Sequence, residues 1–119
     1  MRRQVMDRKK ELKQAYKNYK PDMGVFVIKS NADKKCHVEE SRDLKGDINS
    51  AMFKLDLGTH PNKALQKQWK ERGRTAFAID IPQKLEYDKD PSKTDYGEEL
   101  AILKMLVKET LVKEGWSFF

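Results

Sequence analysis

The spacing of apolar residues changes along this chain from helical to extended and back, and each change marks an element. Val5, Leu12, Tyr16 and Tyr19 recur at offsets of seven, eleven and fourteen, which puts them on one face of a helix, with Lys10, Lys13, Lys17 and Lys20 on another. Pro21 stops that helix. Met23 to Ile28 then has no helical spacing and is rich in Val, Phe and Ile, which predicts a strand buried on both faces. Asn31-Ala32-Asp33-Lys34 supplies a turn, so Lys35 to Glu40 is expected to return as the antiparallel partner of a β-hairpin.

Helical spacing resumes after the hairpin. Ser41 or Asp43 can cap a helix with the stripe Leu44, Ile48, Ala51, Met52 and Leu55, stopped at Gly58. His60-Pro61-Asn62 opens another, ending near Arg72 and Gly73, with Leu65 and Trp69 one turn apart for the core. Phe77, Ile79 and Ile81 alternate as a third strand that Pro82 should close. Gln83 to Asp95 is charged, contains Pro91 and reads as a solvated loop or a strand extension. A last helix from Tyr96 to Lys113 carries Leu100, Leu103, Val107 and Leu111 on one stripe. The expected fold is therefore α+β, a small antiparallel sheet of three strands, near 24 to 29, 35 to 40 and 76 to 81, flanked by helices. Trp116, Phe118 and Phe119 come after the last helix should stop, and are expected to fold back onto the core.

Charge refines this picture. Of the 119 residues, 37% are charged and 38% hydrophobic, a balance that fits one soluble domain. No apolar run approaches the roughly 20 residues of a membrane span, and no apolar stretch follows the basic start Met1-Arg2-Arg3 as it does in a secretory leader. With Cys36 as the single cysteine, an intracellular, cytoplasmic chain without a membrane partner is expected. The net charge of +6 lies wholly in residues 1 to 20, where eight basic side chains face Asp7 and Glu11. The division expected is a basic helix or arm over residues 1–20, packed on a single domain over 21–119. Such an arm can contact phosphates or present a solvated lysine face. On the third predicted helix Lys63, Lys67, Lys70 and Arg74 form one basic stripe, and with Arg42 and Lys45 they are the candidate nucleic-acid contacts. A charged stripe opposite Leu65 and Trp69 is equally what a surface helix shows.

Two segments carry a family likeness. Gly24-Val25-Phe26 on the first strand and His37-Val38-Glu39 on the second, followed by Leu57-Gly58-Thr59-His60-Pro61-Asn62-Lys63-Ala64-Leu65-Gln66-Lys67-Gln68-Trp69, resemble the GIY-YIG nuclease superfamily, in particular small bacterial members. The resemblance covers roughly residues 8 to 112. It implies a site built from two motif tyrosines, an arginine and often a histidine on the following helix, and a metal-binding glutamate on a later one. In this sequence those positions hold Phe26, His37, Asp47, Ala51 and Lys104. Glu98, Glu99 or Glu109 would be the glutamate's counterpart in another register. Phe26 has no hydroxyl, Asp47 would repel phosphate, and an ammonium at Lys104 has no Lewis acidity.

The expected function is accordingly a catalytically inactive, binding version of that domain, with nucleic acid, DNA first, as the ligand and no cofactor. A weak metal-dependent endonuclease using His37, an acidic residue of the last helix and magnesium or manganese is the second reading, and a protein-interaction or regulatory role the third. His37 and Glu39 share one strand face and Cys36 the other, so these three residues do not make a metal site. His60 is expected to tie down its loop.

Overall fold

The computed structural model describes residues 20–119, and the helix expected over Val5 to Tyr19 lies outside the described residues. Strands β1 (Met23–Ser30) and β2 (Lys35–Ser41) form the hairpin, helices α1 (Leu44–Leu57) and α2 (Lys63–Arg72) follow, then β3 (Phe77–Leu85), helix α3 (Gly97–Lys113) and a short β4 (Ser117–Phe118). The sheet runs β3-β1-β2-β4. β1 lies at its centre, as the unbroken apolar run requires: Val25, Phe26, Val27 and Ile28 are all fully buried.

The pleat divides these residues between two layers. Phe26 and Ile28 pack with Leu44, Ala51, Leu55, Leu65 and Trp69 of α1 and α2. Val25, Val27, Cys36 and Val38 meet Val107 and Leu111 of α3 on the opposite face. Helices therefore cover both sides of a mainly antiparallel sheet. Gly24 is needed where β3 pairs with the start of β1, because a Cβ there would sit 2.3 Å from the carbonyl oxygen of Gln83.

Two expectations are corrected. Pro82 does not close β3, which continues to Leu85. β3 is an edge strand, so the missing N–H of Pro82 can face outward, and the register slips there: Val25 pairs with Gln83 but Val27 with Asp80, leaving Ile81 and Pro82 as a bulge opposite Phe26. The sheet also has four strands instead of three. The tail folds back as expected, but it does so by pairing: Ser117 and Phe118 run parallel to Lys35 and Cys36, Phe119 joins the core of α1 and α2, and Trp116 joins the α3 side.

Candidate functional site

The hairpin register builds the floor of the site. Phe26 pairs with Glu39 and Ile28 with His37, so Phe26, His37 and Glu39 lie on the face that looks toward α1 and α2, and Cys36 on the other, as the strand period requires. Phe26 is sealed in the core, whereas His37 and Glu39 are half-buried at its margin.

The loop between α1 and α2 closes over them. Gly58 ends α1 in the left-handed conformation (φ 83°), and Thr59 N–H donates to the Lys54 carbonyl. Gln66 then clamps the loop from α2, accepting from His60 N–H and donating to the Leu55 carbonyl. This brings His60, only 5% exposed, edge-on to His37 with ring centres 5.3 Å apart. His60 does anchor its loop, and it also enters the site.

Asn62 connects these groups. As N-cap of α2 it accepts from Leu65 N–H through Oδ1, which leaves Nδ2 as the donor to His37 Nδ1, 3.1 Å away. Its own backbone N–H donates to His60 Nδ1 at 3.0 Å. With both Nδ1 atoms accepting, each neutral ring carries its proton on Nε2. His37 Nε2–H donates to Glu39 Oε1 at 2.8 Å, and His60 Nε2 stands 3.9 Å from the same oxygen.

The electrostatics follow from this wiring. The hydrogen bond from His37 holds the Glu39 carboxyl below its ordinary value, against the opposing effect of partial burial, and the charges of His37, His60 and Lys104 act in the same direction as the bond. Burial, first, and the neighbouring His37 lower the pKa of His60, partly offset by Glu39. Glu39 and His60 open onto a cleft of about 100 Å³ whose other wall is α1, with Asp47, Ser50, Ala51 and Lys54. These four share one helical face. Asp47 accepts from Ser41 Oγ, which in turn accepts from Asp43 N–H.

Four of the five positions matched to the nuclease motif thus surround one place: Phe26 beneath, His37 beside Glu39, and Asp47 and Ala51 across the cleft. The fifth, Lys104, reaches Glu39 electrostatically from α3. Among the alternative registers, Glu99 is bound to Lys93 and Glu109 faces outward from α3. The sequence reading did not foresee His60, Asn62 and Lys54 at the site. Lys54 was legible as the residue seven beyond Asp47 on the same helix face, but the pairing of Asn62 with His37 spans 25 residues and leaves no local pattern.

His37, Glu39 and His60 each offer one atom within 4.8 Å of the others, a spacing a metal ion could bridge. Their hydrogen bonds oppose it. A histidine ligating through Nε2 must carry its proton on Nδ1 and give it to an acceptor, yet both Nδ1 atoms here already accept from Asn62. A divalent ion there would also feel the positive charge of Lys104, which acts on Glu39 from α3. The residues present do not fit that ion.

The candidate nucleic-acid residues separate into two groups. Lys63, Lys67 and Lys70 are exposed on α2, and no ion pair engages them among the described residues. Arg74 lies 3.9 Å from Asp56. Arg42 pairs with Asp95, and Lys45 lines a separate groove with Lys20, Asp22 and Asp43. Arg42 and Lys45 therefore stand at the Asp22 end of β1, whereas α2 runs toward the hairpin turn, where Arg72 meets Asp33.

No family model and no curated protein matches this sequence. Two solved structures do match its fold. The catalytic domain of homing endonuclease I-TevI superposes with a TM-score of 0.63 at 18% identity, covering 82% of this chain and 97% of that one. A point mutant of the catalytic domain of the same intron endonuclease gives 0.58 at 20% identity, over 74% of this chain and 82% of that one. The four-stranded sheet with its flanking helices thus has the fold of the I-TevI catalytic domain, a GIY-YIG nuclease domain.

Proposed function

We propose that this domain binds nucleic acid, DNA in the first place, and does not cleave it. What supports the reading is the charge at the positions matched by resemblance: a carboxylate, Asp47, where the resemblance implies a phosphate-binding arginine, and an ammonium, Lys104, where it implies a metal-binding carboxylate. Phe26 adds a missing hydroxyl. Loss of one preorganised group of this kind typically costs about 10² to 10³ in rate, and such groups act as a unit, so the surviving His37 does not restore cleavage. Binding has support of its own in Lys63, Lys67 and Lys70, exposed and unpaired on α2, with Lys54 in the cleft at the head of the same loop.

The test is the salt dependence of binding to a generic duplex. If the three α2 lysines contact phosphates, replacing all three by alanine lowers the slope of log affinity against log salt by about 0.9 for each contact, while the native chain keeps its full slope. Equal, salt-independent binding by both proteins would contradict the reading. A metal-dependent endonuclease is the second reading, resting on the fold alone; magnesium- or manganese-dependent nicking would put it first.

A further inference from the structure

Helix α3 is apolar on two opposite faces, and the fold uses only one. Leu100, Val107 and Leu111 are buried against the sheet and its end, whereas Ile102 (53% exposed), Met105 (54%), Leu106 (50%) and Val112 (58%) form a second stripe turned to solvent. Between Met105, Val112 and the stems of Lys108 and Lys113 runs a shallow groove of about 380 Å³. A surface helix normally pairs one apolar stripe with a polar opposite face, and a contiguous exposed apolar patch marks a surface that something covers. The charges of α3 run in a definite order. Glu98 and Glu99 stand in its first turn and Lys113 in its last, and Glu98 and Lys113 are both exposed and without an ion pair among the described residues. Along the whole helix three glutamates balance three lysines.

We infer that a second copy of this chain covers the stripe, the two α3 helices packing antiparallel about a two-fold axis beside Leu106. The order of charge selects that occupant. Reversing the helix against itself sets the acidic first turn of one copy beside the basic last turn of the other, so that Glu98 meets the other copy's Lys113 at both ends of the contact, and the helix dipoles run in opposite directions. Parallel packing would set Glu98 on Glu98 and Lys113 on Lys113. A nucleic acid or an anionic membrane calls for a surplus of positive charge, which the balanced α3 does not have. The apolar positions suit the same axis: Leu106 lies against its own copy with Met105 beside it, and Ile102 comes near the other copy's Val112, the three- and four-residue spacing with which paired helices interdigitate. Glu109, the charge inside the stripe, precedes Lys113 by four residues and so keeps that ammonium as a neighbour. Helices α1 and α2 pack on the other face of the sheet, so the pairing leaves the cleft and the α2 lysines uncovered.

The experiment follows the mass of the full chain by sedimentation equilibrium over a range of concentrations. The mass should climb from one chain toward two. Leu106→Asp, at a half-exposed position outside the core, should hold it at one chain by raising the dissociation constant about a hundredfold. Glu98→Lys and Lys113→Glu should each weaken pairing about tenfold, because the symmetry counts every change twice, and the two together should restore it. A second readout uses the native surface: Leu106→Cys should form a disulfide between copies on air oxidation, Cys36 being fully buried, whereas Phe53→Cys, at an equally exposed place on α1, should not. A chain that stays monomeric up to about 1 mM would leave the face to a different partner and overturn the inference. A dimer that survives Leu106→Asp, a double charge swap that pairs no better than the single ones, or cross-linking as fast at Phe53→Cys would equally overturn it.

Discussion

Asn62 spends each of its polar groups on a different partner, and two of those partners are the imidazoles of the site. That makes it the residue through which the site's chemistry can be changed with the fold intact. Asn62→Asp retains the N-cap but replaces the Nδ2 donor by an acceptor, so the His37 proton can move to Nδ1 and free Nε2 as a ligand beside Glu39. Zinc affinity measured by calorimetry should rise by about tenfold or more, the size of other changes around metal ligands, with little loss of stability. Asn62→Ala should instead lose about 1–2 kcal/mol with the cap, read from urea unfolding. Zinc binding by the native chain as tight as by Asn62→Asp would mean the hydrogen bonds do not control ligation.

The same cluster sets a pH dependence. The His60 pKa is lowered in the folded state, so below the ordinary value of 6.5 the unfolded chain takes up a proton that the folded one resists, and stability falls as pH drops from there. Glu39 acts in the same direction lower down: its stabilising contribution is present above its ordinary 4.5 and is lost as pH falls through its depressed folded value. Thermal unfolding followed from pH 7.5 to 4 should show the decline begin near 6.5, and His60→Gln should remove that first part of it. A profile in which native and His60→Gln proteins run parallel would remove His60 as the cause. At this scale motif position alone leads to the expectation that Phe26, His37 and Asp47 gather at one site, and they do lie around one cleft. It could not expose the meeting of His60 with Glu39, which depends on the β1–β2 register, the Gly58 turn and the Asn62 cap acting together.

At the scale of elements, local pattern carried most of the information. The hairpin, the three described helices and their core stripes follow from apolar spacing, and Leu65 with Trp69 packs as that spacing predicts. Pattern failed where pairing overrode propensity. Pro82 reads as a strand terminator, yet at a sheet edge and within a bulge it costs no ladder bond. Ser117 and Phe118 are too short to signal a strand; the vacant edge of β2 makes them one. Phe119 closes this side by stacking near Phe77, which stacks on Trp69, so removing residues 117–119 should cost about 1–3 kcal/mol. Gly24→Ala should destabilise by a similar amount, about 1–3 kcal/mol, through overpacking against Gln83 and Lys84. Urea denaturation checks both; a Gly24→Ala protein as stable as the native one would show that β3 can move away from β1 without penalty.

At the scale of the whole molecule, the net charge of +6 lies in residues 1 to 20, and residues 21–119 are balanced, the lysines of α2 being offset by carboxylates elsewhere in that part of the chain. No helix among the described residues is long and apolar enough to cross a membrane. The fold is that of a nuclease catalytic domain, and the function proposed for it rests on Asp47 and Lys104 standing where the resemblance implies an arginine and a metal-binding glutamate. Binding without cleavage is the central claim. The measurement that tests it most directly is incubation of supercoiled plasmid with the purified full chain and magnesium or manganese, run beside a gel-shift on the same DNA. The account predicts a salt-sensitive shift and plasmid that stays supercoiled. Metal-dependent nicking that disappears in His37→Ala would contradict it and make the domain an enzyme.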